Sequence, residues 1–485
     1  MSLQEKTFKG IIWSFIDNFA SQGVEFIVGI ILARILTPRE FGLIGMLTVF
    51  IAISQTFIDS GFTNALIRKS NCTQKDYSTV FFFNISVSLF LYFVLFASSE
   101  AIGSFFKEPQ LGILLKVLGL CLVIGSISMI QKTILTKEIN FKQQTKISLF
   151  SSVISGVIGI LMALYGYGVW SLVGRAMISF ILSSILFWIS SKWRPSFIFS
   201  KSSFKELFGF GSKLLVSGLI DTVYNNIYYL IIGKYFSTKE LGLYTRADQF
   251  KNIFSQNITS VIQRVSFPTL SLIKEDSERL RQSYQKLLRS TMFITFSLMF
   301  SMAAMAKSMI FTLVGEKWLP AAPYLELLCF VGIFYPLNSL NLNILNVKGR
   351  SDLFLRLEII KKIIFIPVIV IGVFFGIKAL ILGMIFNSLL AYFINSYYSG
   401  RLIGYSVFCQ INDIKPSFLI GMIVGILLYI ESLFIPGNLY IIFIIQCISA
   451  PLFILIFSEI TQFKDYLFLK KIIFDYIFKN DDRER

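Results

Sequence analysis

Histidine is absent from the chain. Its absence removes an imidazole proton relay and any Cys/His zinc site. Cysteine is sparse. Cys72, Cys121, Cys329, Cys409 and Cys447 are scattered, with no CxxC pair among them, so they read as core or loop thiols. No GxxxxGK[ST] loop occurs, and ATP is therefore not an evident energy source. Acidic residues are dispersed and the loops between apolar stretches are short. A membrane glycosyltransferase, or a glycan polymerase or ligase with a large outer loop, finds no support, and the chain is expected not to be an enzyme. Charge as a whole is scarce. Charged residues make up 15% of the chain, against roughly a quarter in a soluble domain. A water-facing surface cannot be covered with so few.

What fills the chain instead is apolar. Of 485 residues, 55% are hydrophobic, and the mean hydropathy is +0.71. Apolar stretches of about 18 or more residues recur along the whole length, the signature of spanning helices. The expected fold class is an all-α polytopic membrane protein with about fourteen transmembrane helices. The first six are expected near 10–33, 41–61, 78–99, 111–134, 146–166 and 169–191. Six more follow near 208–233, 241–265, 287–313, 321–346, 356–375 and 379–401, and a last pair near 416–435 and 438–458. The first apolar segment carries Asp17 and Glu25 and runs to about Ala33. That is too long and too polar inside for a cleaved signal, so it reads as a retained helix.

The net charge of +17 would suggest nucleic acid only if basic residues clustered on a folded polar domain, and no such stretch exists. They gather instead at alternate ends of the spans. Arg68, Lys69 and Lys75 form one group; Lys132, Lys137, Lys142 and Lys146 form the next. Lys192, Arg194, Lys201 and Lys205 follow, and the pattern continues to Lys464, Lys470 and Lys471. The intervening loops hold few. This bias puts both termini in the cytoplasm by the positive-inside rule. The charged insert Thr269–Leu288 and the tail Lys464–Lys479 read as amphipathic helices on the inner membrane face.

Two segments repeat. Residues 34–43 read RILTPREFGL and residues 234–243 read KYFSTKELGL, a gapless offset of 200 that preserves Glu40/Glu240, Gly42/Gly242 and Leu43/Leu243. Six spans separate the copies, an even number, so they share one orientation. That implies a parallel repeat about an axis along the membrane normal. The expected organisation is an N-terminal lobe at 1–200, a C-terminal lobe at 201–410, and residues 411–485 carrying the last two helices and the tail.

Polar residues inside spans usually face a bundle interior or a water-filled cavity. In the first span Asp17, Ser21, Gln22 and Glu25 share one helical face. The seventh span carries Ser217, Asp221, Tyr224, Asn225 and Tyr228 on a similar stripe, and positions 17, 21 and 25 map onto 217, 221 and 225 at the same offset. The eighth adds Arg246, Gln249, Gln256 and Arg264 on roughly one face, with Asp248 and Lys251 off that line; Arg175 sits in the sixth. Each residue alone also has a structural reading, as a helix–helix hydrogen bond or a snorkelling side chain. The stripes as sets carry the expectation of a cavity lined by Arg246, Asp17, Ser21, Glu25, Asp221, Asn225, Tyr228, Gln249, Lys251 and Arg175. Its arginine forks and lysine charges suit a bulky anion. No cofactor or metal is expected. Any coupling to Na+ or H+ falls to Asp17, Glu25, Asp221 or Asp248.

Several stretches together resemble one family: FKGIIWSFIDNFASQG, LARILTPREFGLIGM, DSGFTNALIRK, LGLYTRADQFKNI and VSFPTLSLI. They are similar to bacterial lipid-linked polysaccharide-repeat flippases of the O-antigen and colanic-acid type, within the multidrug/oligosaccharidyl-lipid/polysaccharide exporter superfamily. The resemblance covers essentially the whole chain, through diffuse motifs. It implies two six-helix lobes plus two extra helices around a cationic cavity in the cytoplasmic (inner) membrane. It implies as cargo an undecaprenyl-diphosphate-linked oligosaccharide, with Arg246 of LGLYTRADQF near the diphosphate. Membrane lipids and the polysaccharide polymerase or glycosyltransferase machinery are further expected partners, and the protein is expected to be a monomer. A multidrug or cation antiporter of the same architecture is the rival reading. Its cavity would be acidic and aromatic, against the arginines seen here.

Overall fold

The computed structural model describes residues 20–467 apart from positions 60 and 436, together with residue 470. Among the described residues there is no β-strand. In chain order the helices are α1 (20–35), α2 (Pro38–Asp59), α3 (Phe62–Arg68), α4 (Gln74–Phe106), α5 (Gln110–Lys137), α6 (Phe141–Leu164), α7 (Trp170–Ser190) and α8 (Lys201–Tyr235). They continue as α9 (Thr238–Leu272), α10 (Ser277–Ala304), α11 (Ala306–Val314), α12 (Ala322–Val347), α13 (Ser351–Phe375), α14 (Ile377–Ile403), α15 (Val407–Phe434) and α16 (Leu439–Ile460), with a 3-10 turn at Glu316–Ala321 before α12.

Ten helices among the described residues are long and apolar enough to cross a membrane, counting α2 with α3 as one. The other four expected spans fall on α1, α8, α9 and α13. Of α1 only residues 20–35 are described, too short a stretch to count as a span; in α8, α9 and α13 polar or charged residues interrupt the apolar run, so hydropathy alone does not select them. Length does not exclude them: α8 and α9 have 35 residues each, about 52 Å at 1.5 Å per residue. The charged insert behaves differently from expectation. It is not a separate surface helix. Asp276 accepts a hydrogen bond from the Arg279 amide at 2.9 Å and starts a new helix. From Ser277 the chain then runs without a break into the apolar part of α10, so one long helix carries both. Of the expected amphipathic tail, residues 471–485 lie outside the described residues.

The chain forms two compact units, the first ending at Thr245 and the second beginning at Arg246. In the first, α4 packs on α5, α5 on α7, α6 on α7 and α2 on α8. Small polar residues let these helices approach, as lipid-embedded interfaces require. Ser88 and Ser126 hydroxyls lie 2.9 Å apart, and those of Ser128 and Ser184 lie 3.0 Å apart. The expected lobe boundary at residue 200 follows the internal repeat, whereas the packing boundary falls 45 residues later. The reason is α8, which packs on α2, α3 and α4. Thr222 meets Thr56 at 2.9 Å, and Glu206 pairs with Lys69 at 2.9 Å.

In the second unit α10 packs on α15 and α12, and α14 on α12 and α13. Gly421 and Gly425 bring α15 against the backbone of Phe296 and Phe300 on α10. The last helices close on the same core. Val424, Leu428 and Ala450 join Phe293 and Phe463 in one buried cluster.

Candidate functional site

The two copies of the repeated segment fold alike. α1 ends at residue 35 and α8 at Tyr235; α2 starts at Pro38 and α9 at Thr238. Each start is set by a Ser/Thr-x-x-Glu cap. The Thr37 amide and hydroxyl donate to Glu40 Oε2 at 2.6 and 2.9 Å, and the Glu240 amide donates to Ser237 Oγ at 3.1 Å. The two starts then meet. A Cβ on Gly42 would overlap the carbonyl of Thr238, and one on Gly242 would overlap the carbonyl of Pro38. The contact is reciprocal at the 200-residue offset, and only glycine permits it.

Glu108, in the turn between α4 and α5, ties this junction together. It accepts from Arg39 Nη2 at 2.7 Å and from Thr238 Oγ1 at 2.6 Å. Lys234 donates to the Phe105 carbonyl at 2.6 Å beside them. The Arg39 side chain is 58% exposed, so its ion pair contributes at most about 1 kcal/mol. Backbone packing at the two glycines dominates. The sequence offered the glycines as a signal through their shared place in the motif. It offered none for Glu108, which reaches the junction only through the fold.

The polar stripes lie on the two helices that lead into this junction. On α8, Ser217, Asp221 and Asn225 are all exposed at a spacing of four, which stacks them on one face; Tyr228, one turn on, is buried. On α1, Ser21 is half-buried and Glu25 exposed. Asp17 lies outside the described residues, as does the side chain of Arg264. Further along α1, Val28 and Leu32, with Leu36 just past its end, are buried against Ala163 of α6. Glu25 faces Arg175 of α7, with Oε1 and Nη2 3.6 Å apart. That pairing of first-span acid with sixth-span base joins two residues the sequence had offered separately.

The eighth-span residues divide. Gln249 and Gln256 are exposed, two turns apart on one face of α9. Arg246, Asp248 and Lys251 are buried in the second unit. The Arg246 guanidinium lies over the Trp318 ring at 5.4 Å, a cation–π contact worth about 2 kcal/mol when desolvated. Lys251 Nζ donates to Asp248 Oδ1 at 2.6 Å, and Asn252 donates to the other oxygen at 2.9 Å. Gly332 of α12 leaves room for the Lys251 stem. Lys251 is thus held by a carboxylate three residues earlier on its own helix.

Among the described residues no group of three or more acidic, Cys or His side chains could hold a metal. Charged and amide side chains embedded among apolar helices make this a multi-pass helical membrane protein. A model of the family described as polysaccharide biosynthesis protein matches residues 31–323, and the chain belongs to that family. It is 27% identical over 363 residues to the teichuronic acid biosynthesis protein TuaB of Bacillus subtilis, covering 73% of each chain. It is 28% identical over 405 residues to the lipopolysaccharide biosynthesis protein WzxC of Escherichia coli, covering 82% of this chain and 81% of WzxC. Its fold is that of the lipid II flippase MurJ in an inward closed conformation, with a TM-score of 0.75 over 93% of this chain and 98% of MurJ. Sequence identity there is 16%, so that likeness is one of fold.

Proposed function

We propose that the chain flips undecaprenyl-diphosphate-linked oligosaccharide repeat units across the bacterial cytoplasmic membrane for surface polysaccharide assembly. Fourteen spans, twelve of them in two six-helix lobes related by a parallel repeat, alternate access to a shared chamber. The carrying observation is the exposed stripe Ser217–Asp221–Asn225 on α8, matched at the 200-residue offset by Ser21 and Glu25 on α1. Exposed carboxylates and amides at such depth are costly against lipid and inexpensive against water. Membership of the polysaccharide biosynthesis family supports a sugar cargo. Arg246 supplies a fork of the kind that pairs with phosphate oxygens, while the prenyl tail stays in the bilayer. The protein acts as a monomer, catalyses no bond change and uses no cofactor; ion coupling falls to its intramembrane carboxylates.

Deletion of the gene tests the proposal. Lipid-linked repeat units should collect on the inner leaflet and return to the surface when the chain is restored. Proton-coupled dye efflux with unchanged surface glycan would instead identify a cation antiporter. Arg246→Ala should lower surface glycan about tenfold or more, the loss of one charge-assisted contact, at an unchanged membrane level of protein. Full glycan output from that variant removes Arg246 from the cargo path.

Orientation has its own test. Cys72 is a poor reporter, because its sulfur contacts Lys137 Nζ at 2.9 Å and donates to the Leu66 carbonyl at 3.3 Å. Cys409 at the start of α15 is exposed. An impermeant maleimide should label Cys409 in inverted vesicles and not in intact cells; the reverse pattern inverts the topology.

A further inference from the structure

Away from the polar stripes, the second unit carries a basic pocket at the edge of the apolar region. Its cavity of about 300 Å³ is lined by Gln282, Gln285, Lys286 and Arg289 of α10 and by Lys464 and Asp465 beyond α16. The apolar run of α10 begins one residue past the pocket, from Thr291 to Ala304, and α16 ends at Ile460. That places the pocket at the depth where a bilayer changes from acyl chain to headgroup.

The segment after α16 is held there by packing. Phe463 is buried, its ring 5.3 Å from that of Phe293, which presses Lys464 and Asp465 against α10. The Asp465 carboxylate pairs with Arg289 Nε at 3.0 Å. Burial pushes that carboxyl above its usual range, and Arg289 opposes the shift. Gln285 is fixed from behind, donating to Asp413 Oδ2 at 2.5 Å, where Tyr405 also donates.

What remains is an uncompensated positive charge. Lys286 and Lys464 are exposed, and neither forms an ion pair among the described residues. Ser290 Oγ, also lining the cavity, is buried with no hydrogen-bond partner among them. Two free ammonium groups and an unused hydroxyl around one cavity form a donor set for a tetrahedral oxyanion. The final turns of α16 expose Ile456 at 49% and Ile460 at 73%, apolar surface suited to acyl chains. Basic pockets on the cytoplasmic side of helical membrane proteins take acidic headgroups by this chemistry.

We propose that this pocket binds the phosphate of an anionic phospholipid of the inner leaflet, with Lys286 and Lys464 as its charged contacts and Ser290 as the inner donor. The bound headgroup bridges α10 to the segment following α16, and so couples the last helical pair to the rest of the second unit.

Native mass spectrometry of the purified full-length protein provides the test, with phosphatidylglycerol, phosphatidylcholine and inorganic phosphate as probes. The expected result is phosphatidylglycerol retention at least tenfold tighter than phosphatidylcholine. Lys286→Ala with Lys464→Ala should abolish that preference, and Lys286→Arg with Lys464→Arg should keep it. Lys286→Gln alone, at an exposed position, should lower it severalfold without disturbing the fold. Equal retention of the two lipids by the unaltered chain, or an unchanged preference in the alanine variant, would overturn the proposal. Displacement of the lipid by millimolar inorganic phosphate would also overturn it, in favour of a free-phosphate site.

Discussion

Gly42→Ala drives the start of α9 away from the start of α2. The added Cβ overlaps the Thr238 carbonyl, a backbone atom that cannot rotate aside. Gly242→Ala meets the Pro38 carbonyl in the same way, so both variants should shift the protein in one direction. Overpacking of this kind costs roughly 1–3 kcal/mol. In a protein that cycles between conformations, that cost falls only on the state in which the two helix starts touch. The population should move by a factor of about 5–150 toward the state in which they are apart. Spin labels on Tyr167→Cys and Lys239→Cys, both exposed in the first unit, should then read a longer distance. Surface glycan should fall about tenfold, because a transporter locked on one side completes no cycle. Gly23→Ala is the control, since nothing lies within 4 Å of its Cβ, and it should leave both readings unchanged. An unaltered label distance in both junction variants would remove this contact from the transport cycle.

Asp248→Ala should be the most destabilising single change in the second unit. Lys251 is 8% exposed, and its ammonium lies 2.6 Å from the Asp248 carboxylate. Removing that carboxylate leaves a buried cation, at a cost of about 3–5 kcal/mol. The expected outcome is a Tm lower by roughly 10 °C in detergent. Replacing both members with apolar residues of similar volume, Asp248→Leu with Lys251→Met, should recover most of the loss, since an uncharged pair carries no desolvation penalty. A single variant as stable as the parent would mean that Lys251 reaches water or another anion.

Local signals made much of this legible. The Thr37–Glu40 and Ser237–Glu240 caps lie within four residues of chain, so RILTPREFGL and KYFSTKELGL announce equivalent helix starts before any tertiary contact is known. The spacing of Ser217, Asp221 and Asn225 gave a shared face for the same reason. Hydropathy could place apolar helices such as α16. Over α8 and α9 polar residues lower the average hydropathy, so the expected spans there rest on shorter apolar runs. What stayed hidden depends on distant segments. Glu108 joins Arg39 and Thr238 from 69 and 130 positions away, and Lys464 reaches α10 only because Phe463 anchors beside Phe293. Lys251 stands off the polar line of its helix in sequence, and only the structure shows the Asp248 carboxylate, three residues earlier, against its ammonium.

A wetted chamber beside α8 is the physical premise of transport, and solvent reactivity measures it directly. Single cysteines at Ser217, Asp221 and Asn225 should react rapidly with a small water-soluble maleimide, while cysteines at Val216 and Val223, exposed on the same helix, should react far more slowly. Rapid reaction confined to the polar stripe is the predicted result. Equal, slow reaction at all five positions would mean that α8 turns those side chains to lipid, and no chamber exists there to carry a sugar.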